Sequence, residues 1–96
     1  MRRQTTSTIN EALSLWIDTM KLRQKVSESR LMAAWYPMVG NKIASLTRNI
    51  YIKNSTLYVI IDSSVVRNEL MHVKTKLISQ LNSVADGNII DDIIFK

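Results

Sequence analysis

Asp62, Ser63 and His72 supply the residue types of a nucleophilic triad, and they crowd into "DSSVVRNELMH" directly after the apolar run "LYVII". Such chemistry needs the serine hydroxyl within hydrogen-bond reach of the imidazole and a carboxylate behind it. A serine at a strand end and a histidine nine residues on, in the following helix, lie roughly 13 Å apart along the helix axis. No G-x-S-x-G surrounds the serines, so the glycines of a nucleophile elbow are missing. Asp91 and Asp92 are neighbours in an apparent strand, where they point to opposite faces and make no acid/base pair. One histidine and no cysteine leave transition-metal, iron–sulfur and thiol chemistry without ligands. An enzyme is not expected, and no cofactor.

Two other readings of Asp62-Ser63-Ser64 stand. In the first, one of these side chains caps a helix that starts there. In the second, free amides at the helix start, two hydroxyls and Arg67 one turn in hold a phosphate. Asp62 works against the second by competing for the same amides. The cap is the expected main role.

Positioning falls to elements legible as changes of hydrophobic period. Ile9, Ala12, Leu13, Trp16, Ile17 and Met20 recur at helical steps, and Thr8 with Glu11 makes a capping-box pattern, predicting a helix over 8–22. A second helix is predicted over about 25–36 with Val26, Leu31, Ala34 and Trp35 on one side. Pro37 predicts a break. Gly40 turns the chain and Asn41 caps a short helix through "KIASL". Trp16 and Trp35 both fall on apolar stripes and are expected in the core.

The period then drops to two in "NIYIKNSTLYVII". A two-residue turn at Asn54-Ser55 sets Lys53 opposite Thr56, Ile52 opposite Leu57, Tyr51 opposite Tyr58 and Ile50 opposite Val59. One face carries Ile50, Ile52, Leu57, Val59 and Ile61. The other carries Tyr51, Tyr58 and Ile60, with Ile90 and Ile94 as candidate neighbours. That second face is either a partner surface or covered by a helix or terminus. A long helix is expected from about Ser64 on a stripe of Val66, Leu70, Val73, Leu77, Leu81 and Val84, with Gly87 in the loop that follows. "NIIDDIIFK" closes as a strand. The expected order is α-α-α(short)-β-β-α-β. This gives an α+β fold, a two-layer domain with a three-stranded sheet and helices packed on one face, its central strand unassigned.

Length and charge bound the rest. The 96 residues suffice for one domain, with residues 1–7 read as a flexible basic N-terminus and 8–96 as the domain. No segment is apolar for the ~18–20 residues a membrane helix needs, so no membrane partner and a cytoplasmic location are expected. Residues 1–53 hold nine Lys/Arg against three acids, while residues 54–96 hold four against five. A basic half fits an anionic partner or a well-solvated surface. The candidate nucleic-acid contacts are Arg23, Lys25, Arg30, Lys42, Arg48, Lys53, Arg67 and Lys74. With no base-reading motif, binding through them would be backbone-led and salt-sensitive. Tyr51, Tyr58 and Ile60 are the candidate protein-partner contacts, including for a homodimer.

"LMAAWYPMVGNKIASLTRNIYIKNSTLYVIIDSSVVRNELMHVKTKLISQLN" followed by "IIDDIIFK" resembles the DciA family, also catalogued as domain-of-unknown-function family 721. The resemblance rests on a tryptophan, then proline with Val-Gly, Ile-Ala and Thr-Arg, the hairpin, Asp-Ser-Ser, Glu-Leu, a leucine-spaced helix and the closing strand, and it covers about residues 9–96. It implies a KH-like fold, DNA binding, and a bacterial replication role in loading or operating a DnaB-type replicative helicase, hence a nucleoid-associated location. Many members carry a further flexible tail; this chain resembles the domain alone. The Gly-x-x-Gly loop by which KH domains clamp RNA is absent, which disfavours the alternative of a KH-like RNA-binding protein. A protein-interaction adaptor without nucleic-acid binding is the other alternative.

Overall fold

The computed structural model describes residues 2–96, with side chains from Ile9 onward. Helix α1 spans Arg2–Leu46, strand β1 Thr47–Lys53, β2 Thr56–Ile61, helix α2 Ser64–His72, α3 Lys74–Ala85 and strand β3 Asp92–Phe95. The expected first two helices are therefore one. Leu22, Arg23, Gln24 and Lys25, at the expected gap, are all good helix formers, and nothing there stops the ladder. The Thr8 capping-box reading falls on a side chain outside those described.

Pro37 does not break α1 but lies inside it, and the discontinuity comes three residues later at Gly40, with φ 88° and ψ 169°. Proline removes one amide and crowds the carbonyl four residues back, that of Ala33. Ala33 and Pro37 are both exposed, so this crowding falls on the solvent side of α1. Gly40 turns the chain because its φ is one that side-chain-bearing residues avoid; a Cβ there would meet nothing within 4 Å.

The hairpin keeps the expected register: Lys53–Thr56, Ile52–Leu57, Tyr51–Tyr58 and Ile50–Val59. Asn54 and Ser55 both take positive φ, 52° and 58°, as a two-residue turn matched to strand twist requires. Beyond Asn49 the register slips, and Thr47 rather than Arg48 pairs with Ile61. Arg48 is the extra residue of a β-bulge, a device that bends a strand and re-aims a side chain. β2 is the central strand, antiparallel to β1 and parallel to β3.

Leu57, Val59 and Ile61 of β2 and Ile93 of β3 are buried on one sheet face. They pack with Leu31 and Trp35 of α1, Leu70 of α2, and Leu77, Leu81 and Ala85 of α3. Trp35 is fully buried, and its indole Nε1 donates to Thr47 Oγ1 at 3.2 Å, which in turn donates to the Ile43 carbonyl at 2.9 Å. A buried indole N–H without a partner would be costly, so this chain fixes the start of β1 against α1.

The helix expected from Ser64 splits at Val73, whose φ is −112° and ψ 15°. The buried stripe then shifts to Leu77, Leu81 and Ala85, leaving Val73 and Val84 exposed. Asp86, not Gly87, takes the left-handed conformation that ends α3, with the amides of Asp86 and Gly87 donating to Ser83 and Asn82 carbonyls. The Asn82 side chain clamps the next loop, donating to the Ile90 carbonyl and accepting from the amides of Ile89 and Ile90. Ile90 is accordingly in the core, not on the outer sheet face. The expected first two helices are thus fused and the last one is split, while the short helix expected beyond Gly40 stands as the final part of α1, giving α-α(short)-β-β-α-α-β with the three-stranded sheet and the α+β class retained.

Candidate functional site

Ser63 is the N-cap of α2: its Oγ accepts from the Val66 amide at 3.2 Å. Asp62 is not on those amides. Its carboxylate faces Arg48, whose Nε lies 3.2 Å from Oδ2. The bulge produces this pair by turning Arg48 toward the end of β2. His72 is exposed in the last turn of α2. The three triad residue types are thus a salt-bridged carboxylate, a helix cap and a surface imidazole.

Arg67 leaves the first turn of α2 and its guanidinium donates to the Ile61 carbonyl. The Asp62 amide donates to the Leu46 carbonyl, and the Ile61 amide to that of Lys96. One end of the sheet therefore gathers Arg48, Arg67 and Lys96, with Lys42 one helical turn before Leu46. Asp62 is the acid among them. Lys96 also places its Nζ 5.2 Å from the centroid of Tyr58. Sequence reasoning passed over Lys96; its position two residues beyond Ile94 on a strand edge was the available signal.

The remaining candidate cations lie elsewhere. Lys53 and Lys74 are at the opposite, hairpin end, where the Lys74 Nζ contacts Asp92 at 3.0 Å. That lysine, with the Ile93 amide, holds the Asp92 carboxyl below its usual value. Arg23, Lys25 and Arg30 are exposed along α1. The eight candidates fall into three groups: the bulge end (Lys42, Arg48, Arg67), the hairpin end (Lys53, Lys74) and the α1 rail.

On the sheet face away from the core, Tyr51 and Tyr58 stack with ring centroids 4.9 Å apart and planes 11° from parallel. With Ile60 they remain part-exposed, and Ile94, paired with Tyr58, is exposed. Tyr58 has Tyr51 against its ring and Lys96 over it, so little of its π surface is left for a base. This face is better suited to protein contact than to stacking on nucleic acid. A groove of about 880 Å³, lined by Arg30, Ala34, Pro37, Met38, Gln80 and Val84, runs between α1 and α3.

Trp16, expected in the core, is instead 62% exposed, whereas Trp35 is at 0% as expected. Its stripe continues that of Trp35, but the domain ends below it.

The family profile described as "Dna[CI] antecedent, DciA" matches residues 8–95. The chain belongs to the DciA family. No curated protein and no solved structure matches it. The match runs from within α1 to β3 and so covers the Trp35 core, the hairpin, the Asp-Ser-Ser segment and the closing strand. DciA membership carries a replication role of the helicase-loading kind. Among the described residues, no helix is long and apolar enough to cross a membrane.

Proposed function

We propose that this DciA-family chain is a non-enzymatic replication accessory that binds DNA through its basic surface and the replicative DnaB-type helicase through an apolar surface, assisting the helicase's loading or operation. The observation that carries the reading is the family match over residues 8–95. The net charge of +5 supports the DNA part. Phosphate contacts come first from the bulge end, where Arg48, Lys42 and Lys96 converge, and then from Arg23, Lys25 and Arg30 along α1. Lys53 and Lys74 extend the surface at the hairpin end, and Arg67 contributes chiefly by holding the end of β2. The protein contact is assigned to the Tyr51, Tyr58 and Ile60 face.

The two-layer arrangement supports the KH-like reading of the fold. The α2–α3 junction is His72-Val73-Lys74, without glycine, and the chain has no Gly-x-x-Gly segment. A backbone clamp for RNA is therefore missing, which favours DNA bound by charge over the RNA alternative. The test is fluorescence anisotropy with single-stranded DNA, duplex and RNA across a salt series. Binding that falls steeply with salt and shows little sequence preference is expected. No binding at low salt leaves a protein adaptor; a clear RNA preference reverses the nucleic-acid assignment.

A further inference from the structure

Residues 9–26 of α1 are exposed without exception, a stretch of about 27 Å at 1.5 Å per residue. Yet Ile9, Leu13, Trp16, Ile17 and Met20 lie on the same helix face as Leu31, Trp35 and Met38, which pack on the domain. At about 100° per residue, Leu13 and Leu31 are in phase. The core-facing stripe simply runs on past the end of the core. Glu11, Asp18 and Lys25 solvate the opposite side, together with the lesser apolar residues Leu15 and Leu22. A free helix of this length is marginal in water and owes its stability to burial of an apolar face.

We infer that this overhanging stripe of α1 pairs with the same stripe of a second copy, antiparallel, about a two-fold axis between Trp16 and Ile17. The stripe is self-complementary about that point. Leu13 meets Met20 of the second copy, Ile9 meets Gln24, and Trp16 and Ile17 cross at the axis. Symmetry of this kind is what a two-fold interface demands. Charge permits it. Lys21 and Arg23 flank the stripe, and pairing brings them beside Asn10, Ala12 and Ser14, so that within the described stretch from Ile9 to Gln24 no cation faces a cation. The incoming Ile9 reaches a hollow of about 410 Å³ lined by Met20, Arg23, Gln24, Ser27 and Ile89.

The area suffices. Ile9 and Leu13 are 54% exposed, Trp16 62%, and Ile17 and Met20 46%. Covering these side chains on both copies removes on the order of 1,200 Å² from water, the lower edge for a specific interface. A pair built this way projects two domains from opposite ends of a central helix pair, each with its bulge end and tyrosine face unobstructed by the contact.

Sedimentation equilibrium of the whole chain tests this. The expected mass is twice 11.0 kDa at tens of micromolar. Leu13→Glu and Met20→Glu each return the mass to one chain while the thermal transition of the domain persists. The absence of cysteine allows an independent arm. Ile17→Cys cross-links as a disulfide dimer under mild oxidation and Asp18→Cys, on the far side, does not. A mixture of Leu13→Cys and Met20→Cys gives the mixed disulfide in preference to either homodimer. A single-chain mass for the unaltered protein, a dimer indifferent to both glutamates, or homodimers favoured in the mixture overturns the proposal. So does a monomer whose stripe variants lose only helicase binding, which would assign the stripe to that partner.

Discussion

Arg48 Nε and Asp62 Oδ2 lie 3.2 Å apart across the open end of the β1–β2 hairpin, where Arg48 is the extra residue of the β1 bulge. Both side chains are more than half exposed, so the pair adds little stability. Its consequence is electrostatic: an acid sits inside the most concentrated group of cations on the sheet. Asp62→Asn should tighten DNA binding several-fold and steepen the salt dependence, because Arg48 is released and a repulsive charge removed. Arg48→Ala should weaken binding and reduce the slope of log K against log salt by about 1. Anisotropy titrations read both; equal affinities for the three proteins would take this end of the sheet out of the interface.

Arg67 behaves differently. Its hydrogen bond to the Ile61 carbonyl ties α2 to the end of β2. Arg67→Ala should cost about 1.5–3 kcal/mol, the usual worth of a charge-assisted hydrogen bond, read as a lowered urea midpoint. DNA affinity measured well below that midpoint should fall less than for Arg48→Ala.

Ser55 holds φ 58° at the second position of the hairpin turn. An L side chain in that conformation costs roughly 1 kcal/mol that glycine avoids. Ser55→Gly should raise stability by about that amount and Tm by about 4–8 °C, with the Asp91 amide still bonded to the residue-55 carbonyl. An unchanged or lower Tm would contradict the turn geometry.

Asp92 supplies a pH signature. Lys74 foremost, and then the Ile93 amide, hold its carboxyl below the usual 3.8. A carboxylate with a lowered native value adds stability that is fully present above its unfolded value and lost as pH falls through the native one. Wild-type stability should therefore decline from near pH 3.8 downward more steeply than that of Asp92→Asn, followed by urea midpoints. The side chains of Lys74 and Asp92 are 38% and 46% exposed, so the difference shrinks in high salt.

The hairpin was legible because its period of two has an Asn-Ser break that fixes the cross-strand pairs from Lys53–Thr56 to Ile50–Val59. A cap within Asp62-Ser63-Ser64 was legible because polar side chains at a strand-to-helix junction have few other uses, but that Ser63 makes it was not. Nothing local betrays the bulge at Arg48, since an added strand residue changes no composition. The continuity of α1 was hidden by a pause in the apolar stripe at Arg23-Gln24, although the residues themselves favour helix. Trp16 and Trp35 carry the same pattern and differ only in how far the domain extends beneath them. That extent is a tertiary quantity, and sequence periodicity does not contain it. For the same reason the eight candidate cations could be named in advance but not sorted into their three groups.

The central claim is that this DciA-family chain acts on a replicative helicase, and a direct binding titration of the purified chain against the DnaB-type helicase of its own host tests it most closely. Saturable binding is predicted, persisting at salt concentrations that abolish DNA binding and weakened at least tenfold by Tyr58→Glu on the outer sheet face. Absence of binding at tens of micromolar helicase, with the chain folded and still binding DNA, would contradict it.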